Sequence, residues 1–333
     1  MRKIALEEHF ETALDRELDK EAMKDFVFPM TADAERGRYL ADLFDLPFEE
    51  HRFPVMDQGE IAIQVISPNC QAVQFAHDAK RAVEMAVLVN DEAAELVERS
   101  GGRLKAFAVL PMQDPAAAAA ELEKRVKEQG FVGAFVQGQT GLGDYPYYDD
   151  SVYDPVWDKL EELDLPIYIH PRNPKAEEVQ SLAGREEMLA NTWNWGYVTG
   201  TLALRMVFGG VFAKHPGLKV IIGHMGETIP YVLARLDEGF TCRGLLEKGM
   251  LPELPSYYIK KNIYITTSGG WNPETMRCAI SAMGADHIMF AADYPHFVQE
   301  QAISQIENAG LSEVEMEAVC WQTAERILHL NSN

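Results

Sequence analysis

Residues 1–10 read MRKIALEEHF and residues 288–293 read IMFAAD, and the relation between these two stretches decides the fold. Each is a short apolar run that ends on residues of a different kind, Glu7, Glu8 and His9 in one and Asp293 in the other. Six runs of the same texture lie between them: IAIQVIS (61–67), LKAFAVLP (104–111), FVGAFVQ (131–137), PIYIH (166–170), KVIIGH (219–224) and IYITTS (263–268). Near-continuous apolar runs rich in Val, Ile, Phe and Ala are what parallel strands buried on both faces require.

The stretches between the runs carry helical periodicity. Residues 77–100 place Val83, Ala86, Val87 and Asn90 on one stripe and stop before Gly101-Gly102. Pro115 opens and Gly130 closes a second helix, and 271–284 shows the same punctuation. Eight strands alternating with helices give either an open sheet or a closed (β/α)8 barrel. The chemistry-bearing residues sit at strand ends from the first run to the last, and those runs are neighbours only if the sheet closes. The reading is therefore one barrel domain over 1–333. Residues 11–60 form an insertion after the first strand that covers the mouth, and a C-terminal helix spans 312–329.

The formal net charge of −22 excludes partners built on phosphate contacts, nucleic acid above all, and disfavours anionic membranes. There is no run of 18 apolar residues and no signal-like N-terminus, so a cytoplasmic address is expected. The four cysteines, Cys70, Cys242, Cys278 and Cys320, form no CxxC pair and read as buried thiols in a reducing compartment.

Glu7 and His9 lie two apart on the first strand, so both face one side while Glu8 faces the other. His170 ends the fifth run, His224 the sixth and Asp293 the eighth. Gathered at one barrel mouth, two carboxylates and one or two imidazoles suit a single Zn2+ or Mn2+ with positions left open for water or substrate. The fourth run ends on Gln137, with no acid to bridge a second ion. Glu227 follows His224 by three, where a helix begins, and Arg235 lies eight further along. Phe10, Trp193 and Trp195 are candidates for an aromatic slot, and His296 is a titratable neighbour of Asp293.

At ALEEHF, FAVLPMQDP, GFVGAFV, YIHPRNP, HPGLKVIIGHMGE, ITTSG and DYP the chain resembles the amidohydrolase superfamily over nearly its whole length. Within that superfamily it resembles the metal-dependent decarboxylase branch acting on γ-resorcylate and 2,3-dihydroxybenzoate. The Glu-x-His opening replaces the His-x-His of hydrolytic relatives. The resemblance implies a TIM-like barrel of the amidohydrolase type and one divalent metal held by Glu7, His9, His170 and Asp293. It further implies proton relay by His224, Glu227 and Arg235, with Asp293 as proton donor to the ring. The expected reaction is non-oxidative decarboxylation of an ortho-hydroxybenzoate, reversible at high bicarbonate. A small aromatic carboxylate is the expected partner, in a homo-oligomer, dimer or tetramer. Where relatives continue Asp-(Trp/Tyr)-Pro with Phe-Glu-Asn or similar, this chain reads DYPHFVQ, which places His296 beside the site.

The same ligands also serve a hydrolase of an amide, lactone or ester, with Asp293 as base for water and His224 polarising the carbonyl. A non-catalytic binding protein is a third reading, and it predicts a coordinatively closed metal. The Glu-x-His opening and HPRNP favour the lyase.

Overall fold

In the computed structural model, residues 1–12, 39, 42–44, 46–69, 71–140 and 147–330 are described. Most of the segment expected to cover the mouth, and Cys70, lie outside them. The strands are β1 (Lys3–Phe10), β2 (Ile61–Pro68), β3 (Leu104–Ala106), β4 (Ala108–Val109), β5 (Ala134–Gln137), β6 (Pro166–His170), β7 (Lys219–Ile222), β8 (Ile263–Thr266) and β9 (Ile288–Met289). All neighbouring pairs are parallel, in the orders β1-β2-β3 and β4-β5-β6-β7-β8-β9.

Two seams join these sheets into a ring of eight staves. The third run is one stave interrupted at Phe107, whose N–H still donates to Ile66 at 3.2 Å, while Ala108 N–H donates to Gly133 at 2.9 Å. Phe107 turns its ring against Gly133, where a Cβ would meet the ring at 3.1 Å and the Pro166 carbonyl at 2.5 Å. Only glycine (φ 149°) fits that crossing. The first and last staves meet through a parallel bridge of Leu6 with Ala291 and a hydrogen bond from Leu6 N–H to Phe290 at 3.0 Å. The last run is regular only to Met289, since Phe290 N–H donates out of the sheet to Val319 at 2.9 Å, and further on Asp293 leaves the strand conformation with φ 63°.

Alternation along the staves sorts the core into two layers. Ile4, Leu6, Val65, Phe107, Phe135, Tyr168, Ile221, Met289 and Ala291 fill the interior, closed at the N-terminal end by Ala324, Ile327 and Leu328. Ile66, Val136, Ile167, Ile169, Val220, Ile222 and Ile265 face outward against helices carrying Leu122, Trp157, Leu202 and Met206.

The helices keep the expected punctuation. In Pro115–Gln129, Asp114 caps Ala117 N–H at 3.0 Å and Gly130 ends the helix at φ 69°. In Pro273–Met283, Asn272 caps Thr275 N–H at 2.9 Å. The stripe of Ala79–Arg99 is centred one residue away from its expected line. Ala82, Met85, Ala86, Val89, Asn90 and Ala93 are buried, whereas Val83 and Val87 lie at its edge. The C-terminal helical stretch runs from Glu313 to Ile327 with one wide turn at Ala318–Gln322. Of the described cysteines only Cys320 is buried, and Cys242 is exposed. Among the described residues no helix is long and apolar enough to cross a membrane.

Candidate metal centre

A bulge in β1 aims the first pair of ligands. Ala5 pairs with Gln64 and Glu8 with Ile66, so Leu6 and Glu7 together oppose Val65. Glu7 absorbs the extra residue at φ 59°. Leu6 and Glu7 then both face inward, and His9 follows; without the bulge Glu7 and His9 would share the outward face of Ala5. Glu8 does face outward, accepting from Gln64 Nε2 at 2.8 Å and Ala292 N–H at 3.0 Å. Burial pushes its carboxyl up to about 8, against the Ala292 bond and Arg52. Phe10 points the same way as Glu8 and joins the layer between barrel and helices. Its expected place in an aromatic slot is therefore corrected.

Glu7, His9, His170 and Asp293 each offer a ligand atom, all within 4.8 Å of one another. His170 Nε2 lies 3.3 Å from Glu7 Oε1, and His9 Nε2 lies 3.3 Å from Asp293 Oδ1. Glu7 Oε1 and His9 Nε2 are buried and have no hydrogen-bond partner among the described residues. Two orphaned buried polar atoms converging on one point fit a divalent cation, which satisfies both. Burial opposes ionisation of Glu7, but His224, His170 and His9 outweigh it and hold the carboxyl well below the usual range. Burial, with His170, pushes His9 down to about 3, the neutral form that ligates metal. Burial and then Glu7 lift Asp293 to about 6, against His296, His224 and His170. A bound cation opposes that lift.

The ligands are themselves held. Gln137 Oε1 accepts from His170 Nδ1 at 2.7 Å, which leaves Nε2 as the ligating nitrogen. Ser67 Oγ lies 3.4 Å from His9 Nδ1. Tyr168 donates to Glu7 Oε2, and Thr266 donates to the same oxygen at 3.3 Å. Tyr168 and Thr266 escaped sequence reasoning, although Tyr168 stands two residues before His170 and so shares its inward face.

Past β7 the chain enters a run of left-handed residues, with His224, Met225, Glu227 and Thr228 at φ 51°, 58°, 49° and 70°. This turn brings His224 Nε2 to 3.5 Å from Glu7 and 4.0 Å from Asp293 Oδ2, and Nδ1 to 2.9 Å from Glu227 Oε1. Burial disfavours the imidazolium, but Glu7, Glu227 and Asp293 outweigh it and push His224 up to about 10. Arg235 does not join this pair. It is 81% exposed and bonds Glu238 at 2.8 Å, because its side chain leaves the helix Ile229–Cys242 on the solvent face. The expected relay through Arg235 is thus not formed within the chain.

His296 does reach the site, its ring 5.4 Å from that of His9 and its Nε2 3.0 Å from Asn69 Oδ1. Burial pushes it down to about 4. Trp195 is half-buried and donates to Asn173 Oδ1 at 3.3 Å, in the loop that follows His170. Trp193 is 53% exposed and makes no hydrogen bond or ring contact with these residues among those described. Arg172 organises the same loop through two bonds to Glu178, at 2.9 and 2.7 Å.

The comparisons with known proteins bear on this geometry. A family model described as Amidohydrolase matches residues 41–330. A γ-resorcylate decarboxylase of Polaromonas sp. (strain JS666) is 37% identical over 340 residues, covering 99% of each chain. Among solved structures, a dihydroxybenzoic acid decarboxylase from Polaromonas sp. JS666, with bound manganese and the inhibitor 2-nitroresorcinol, superposes with a TM-score of 0.91. It is 37% identical and is covered to 98%, against 100% of this chain. A 2,6-dihydroxybenzoate decarboxylase complexed with 2,6-dihydroxybenzoate gives a TM-score of 0.90 at 34% identity, with both chains covered to 100%.

Proposed function

The chain belongs to the amidohydrolase family, and on that premise we propose that it is a carboxy-lyase. Its reaction is the metal-dependent, non-oxidative decarboxylation of an ortho-hydroxybenzoate, with 2,6-dihydroxybenzoate as the first substrate to test. Glu7, His9, His170 and Asp293 hold one divalent ion, and of the two expected metals manganese is favoured by the relatives that carry it. When bound, the ion would supply Lewis acidity that neutralises the charge of an anionic ortho-hydroxy acid held beside these residues.

The observation that carries the reading is the double placement of Asp293. One oxygen lies among the ligand atoms, 3.3 Å from His9, and the other faces His224 at 4.0 Å. Burial lifts its carboxyl to about 6 in the absence of a cation, a bound cation opposes that lift, and an anionic substrate offsets the cation, so it is in the substrate complex that Asp293 holds the proton. Asp293 gives that proton to the ring carbon bearing the carboxylate, and a ring π pair forms the new C–H bond. The C–C bond to the carboxylate then breaks, its electron pair restores aromaticity, and CO2 leaves. His224, backed by Glu227, is placed to return a proton to Asp293. His296 and Trp195 border the ring; Phe10, Trp193 and Arg235 have no part in this chain's own site.

The test is incubation of the Mn2+-loaded protein with 2,6-dihydroxybenzoate, following CO2 and resorcinol, and the reverse at high bicarbonate. Absence of CO2 from every ortho-hydroxybenzoate at full metal occupancy, with acid released from amides or lactones, transfers the assignment to the hydrolase reading. A homo-oligomer, dimer or tetramer, is part of the proposal. The exposed aromatics Tyr231, Tyr197 and Trp193 support it, and light scattering tests it.

A further inference from the structure

Glu227 is backed by a helix that carries no side chain where it touches. The helix Asn194–Phe208 passes over the His224–Glu227 pair with two glycines facing it. A Cβ at Gly196 would lie 2.7 Å from Glu227 Oε2, and one at Gly200 would lie 3.1 Å from the Glu227 carbonyl oxygen and 3.6 Å from its Cβ. Four apart, the two glycines stack on one helical face. Neither has a positive φ, so both backbones accept alanine. Within a helix alanine is favoured over glycine by about 0.5–1 kcal/mol. Helix propensity therefore argues against glycine here, and the Glu227 carboxylate argues for it.

The first turn of this helix is also tied down. Trp195 bonds Asn173 at 3.3 Å, and Asn194 Oδ1 accepts from Ala190 N–H at 3.1 Å. A methyl group at 196 therefore displaces the mobile end of Glu227 rather than the helix. Glu227 Oε1 is the partner of His224 Nδ1 at 2.9 Å, so displacement there reaches the imidazole that faces Glu7 and Asp293.

We infer that Gly196, supported by Gly200, is a positioning residue: its bare Cα lets the helix press Glu227 onto His224 and so fixes the imidazole behind Asp293. This rests on the reading above, in which His224 and Glu227 serve the proton transfer. Gly239 supplies the control, since a methyl there meets open space in the helix Ile229–Cys242.

The experiment compares G196A, G200A and G239A as full-length, Mn2+-loaded protein. With 2,6-dihydroxybenzoate, kcat of G196A is expected to fall by about tenfold or more at a KM within about twofold of wild type, since misplacement by ~1 Å costs up to ~100-fold. G239A matches wild type. Independently of turnover, in the same proteins loaded with diamagnetic Zn2+ in place of Mn2+, the low-field proton resonance of the His224 Nδ1–H, assigned by its loss in His224→Asn, moves or vanishes in G196A. It moves less in G200A and not at all in G239A. If G196A does not fold, G200A takes its place. A wild-type resonance in whichever of the two folds overturns the inference. Absence of turnover by the wild type overturns the decarboxylase reading instead, and the resonance still decides the role of Gly196.

Discussion

Gln137 Oε1 stands 2.7 Å from Nδ1 of His170, across the register pair that joins β5 to β6. A carboxamide oxygen only accepts, so it fixes the proton on Nδ1 and turns the lone pair of Nε2 toward Glu7. Gln137→Leu removes that bond at nearly constant volume and leaves the Pro171 carbonyl, 2.9 Å from Nδ1, as the remaining acceptor among the described residues. Manganese affinity is expected to fall by about 10–100-fold, the usual effect of losing a ligand's hydrogen-bond partner. Titration of the apoprotein, followed calorimetrically, measures it; wild-type affinity in the variant would show that β6 alone orients the ring.

Removing the metal leaves Glu7 Oε1 and His9 Nε2 buried without partners among the described residues. Chelation is therefore expected to abolish turnover and to lower the melting temperature, with both restored by Mn2+. A ligand at 1,000 times its dissociation constant stabilises the native state by about 4 kcal/mol. Full activity in protein shown by elemental analysis to be metal-free would end the claim of a metal centre.

Asp293→Asn keeps the shape of the side chain and removes its acid. Loss of a positioned general acid costs about 100- to 10,000-fold, so kcat for CO2 release is expected to fall by at least about 100-fold. Because Asp293 is also a candidate ligand, metal content must be measured alongside. A variant that keeps its metal and its turnover would leave another group as the proton donor.

What the sequence made legible was local. Buried parallel strands announce themselves as apolar runs, and ligand chemistry at their ends is visible residue by residue, so the barrel, Glu7, His9, His170, His224 and Asp293 could all be read. Phe10 was misread although the signal was present, because the alternation that turns Glu8 outward turns Phe10 outward too. The bulge at Glu7 was hidden, since it shows only in the pairing of β1 with β2. Gln137, Tyr168 and Thr266 were missed as partners because register across strands, not order along the chain, brings them to the ligands. Arg235 falls on the solvent face of its helix within this chain, which was not legible because helix phase after an irregular turn of left-handed residues cannot be counted from the strand.

His296 follows Asp293-Tyr294-Pro295, and its ring lies 5.4 Å from that of His9. Burial keeps it neutral at physiological pH, and Asn69, itself bonded to Glu11 at 3.1 Å, anchors Nε2 at 3.0 Å. A neutral polar ring at the edge of the site favours hydroxyl over methyl as the second ortho substituent. In His296→Phe the ratio of kcat/KM for 2,6-dihydroxybenzoate over 2-hydroxy-6-methylbenzoate is expected to fall by about tenfold, the scale of one hydrogen bond. An unchanged ratio would remove His296 from substrate selection.

The loop after His170 is held by Arg172, whose side chain is fully buried, bonding Glu178 at 2.9 and 2.7 Å. Burial raises the Glu178 carboxyl, but the bonds from Arg172 outweigh it, so its pKa is lower in the folded chain than in the unfolded one. A carboxyl depressed on folding contributes stability that is complete above its unfolded pKa and is lost as pH falls through its folded pKa. The wild type is therefore expected to lose this contribution on acidification below the ordinary carboxylate range, and Glu178→Gln to lack that part of the acid slope. At neutral pH the variant replaces a carboxylate partner of the buried guanidinium with a neutral amide, and stability is expected to fall by about 1.5–3 kcal/mol, the scale of a hydrogen bond to a charged group. Urea melts of both proteins across the acid range measure the two effects together. Parallel slopes with equal neutral stability would show that Asn173, which accepts from Arg172 at 2.9 Å through its carbonyl, is enough to hold the loop.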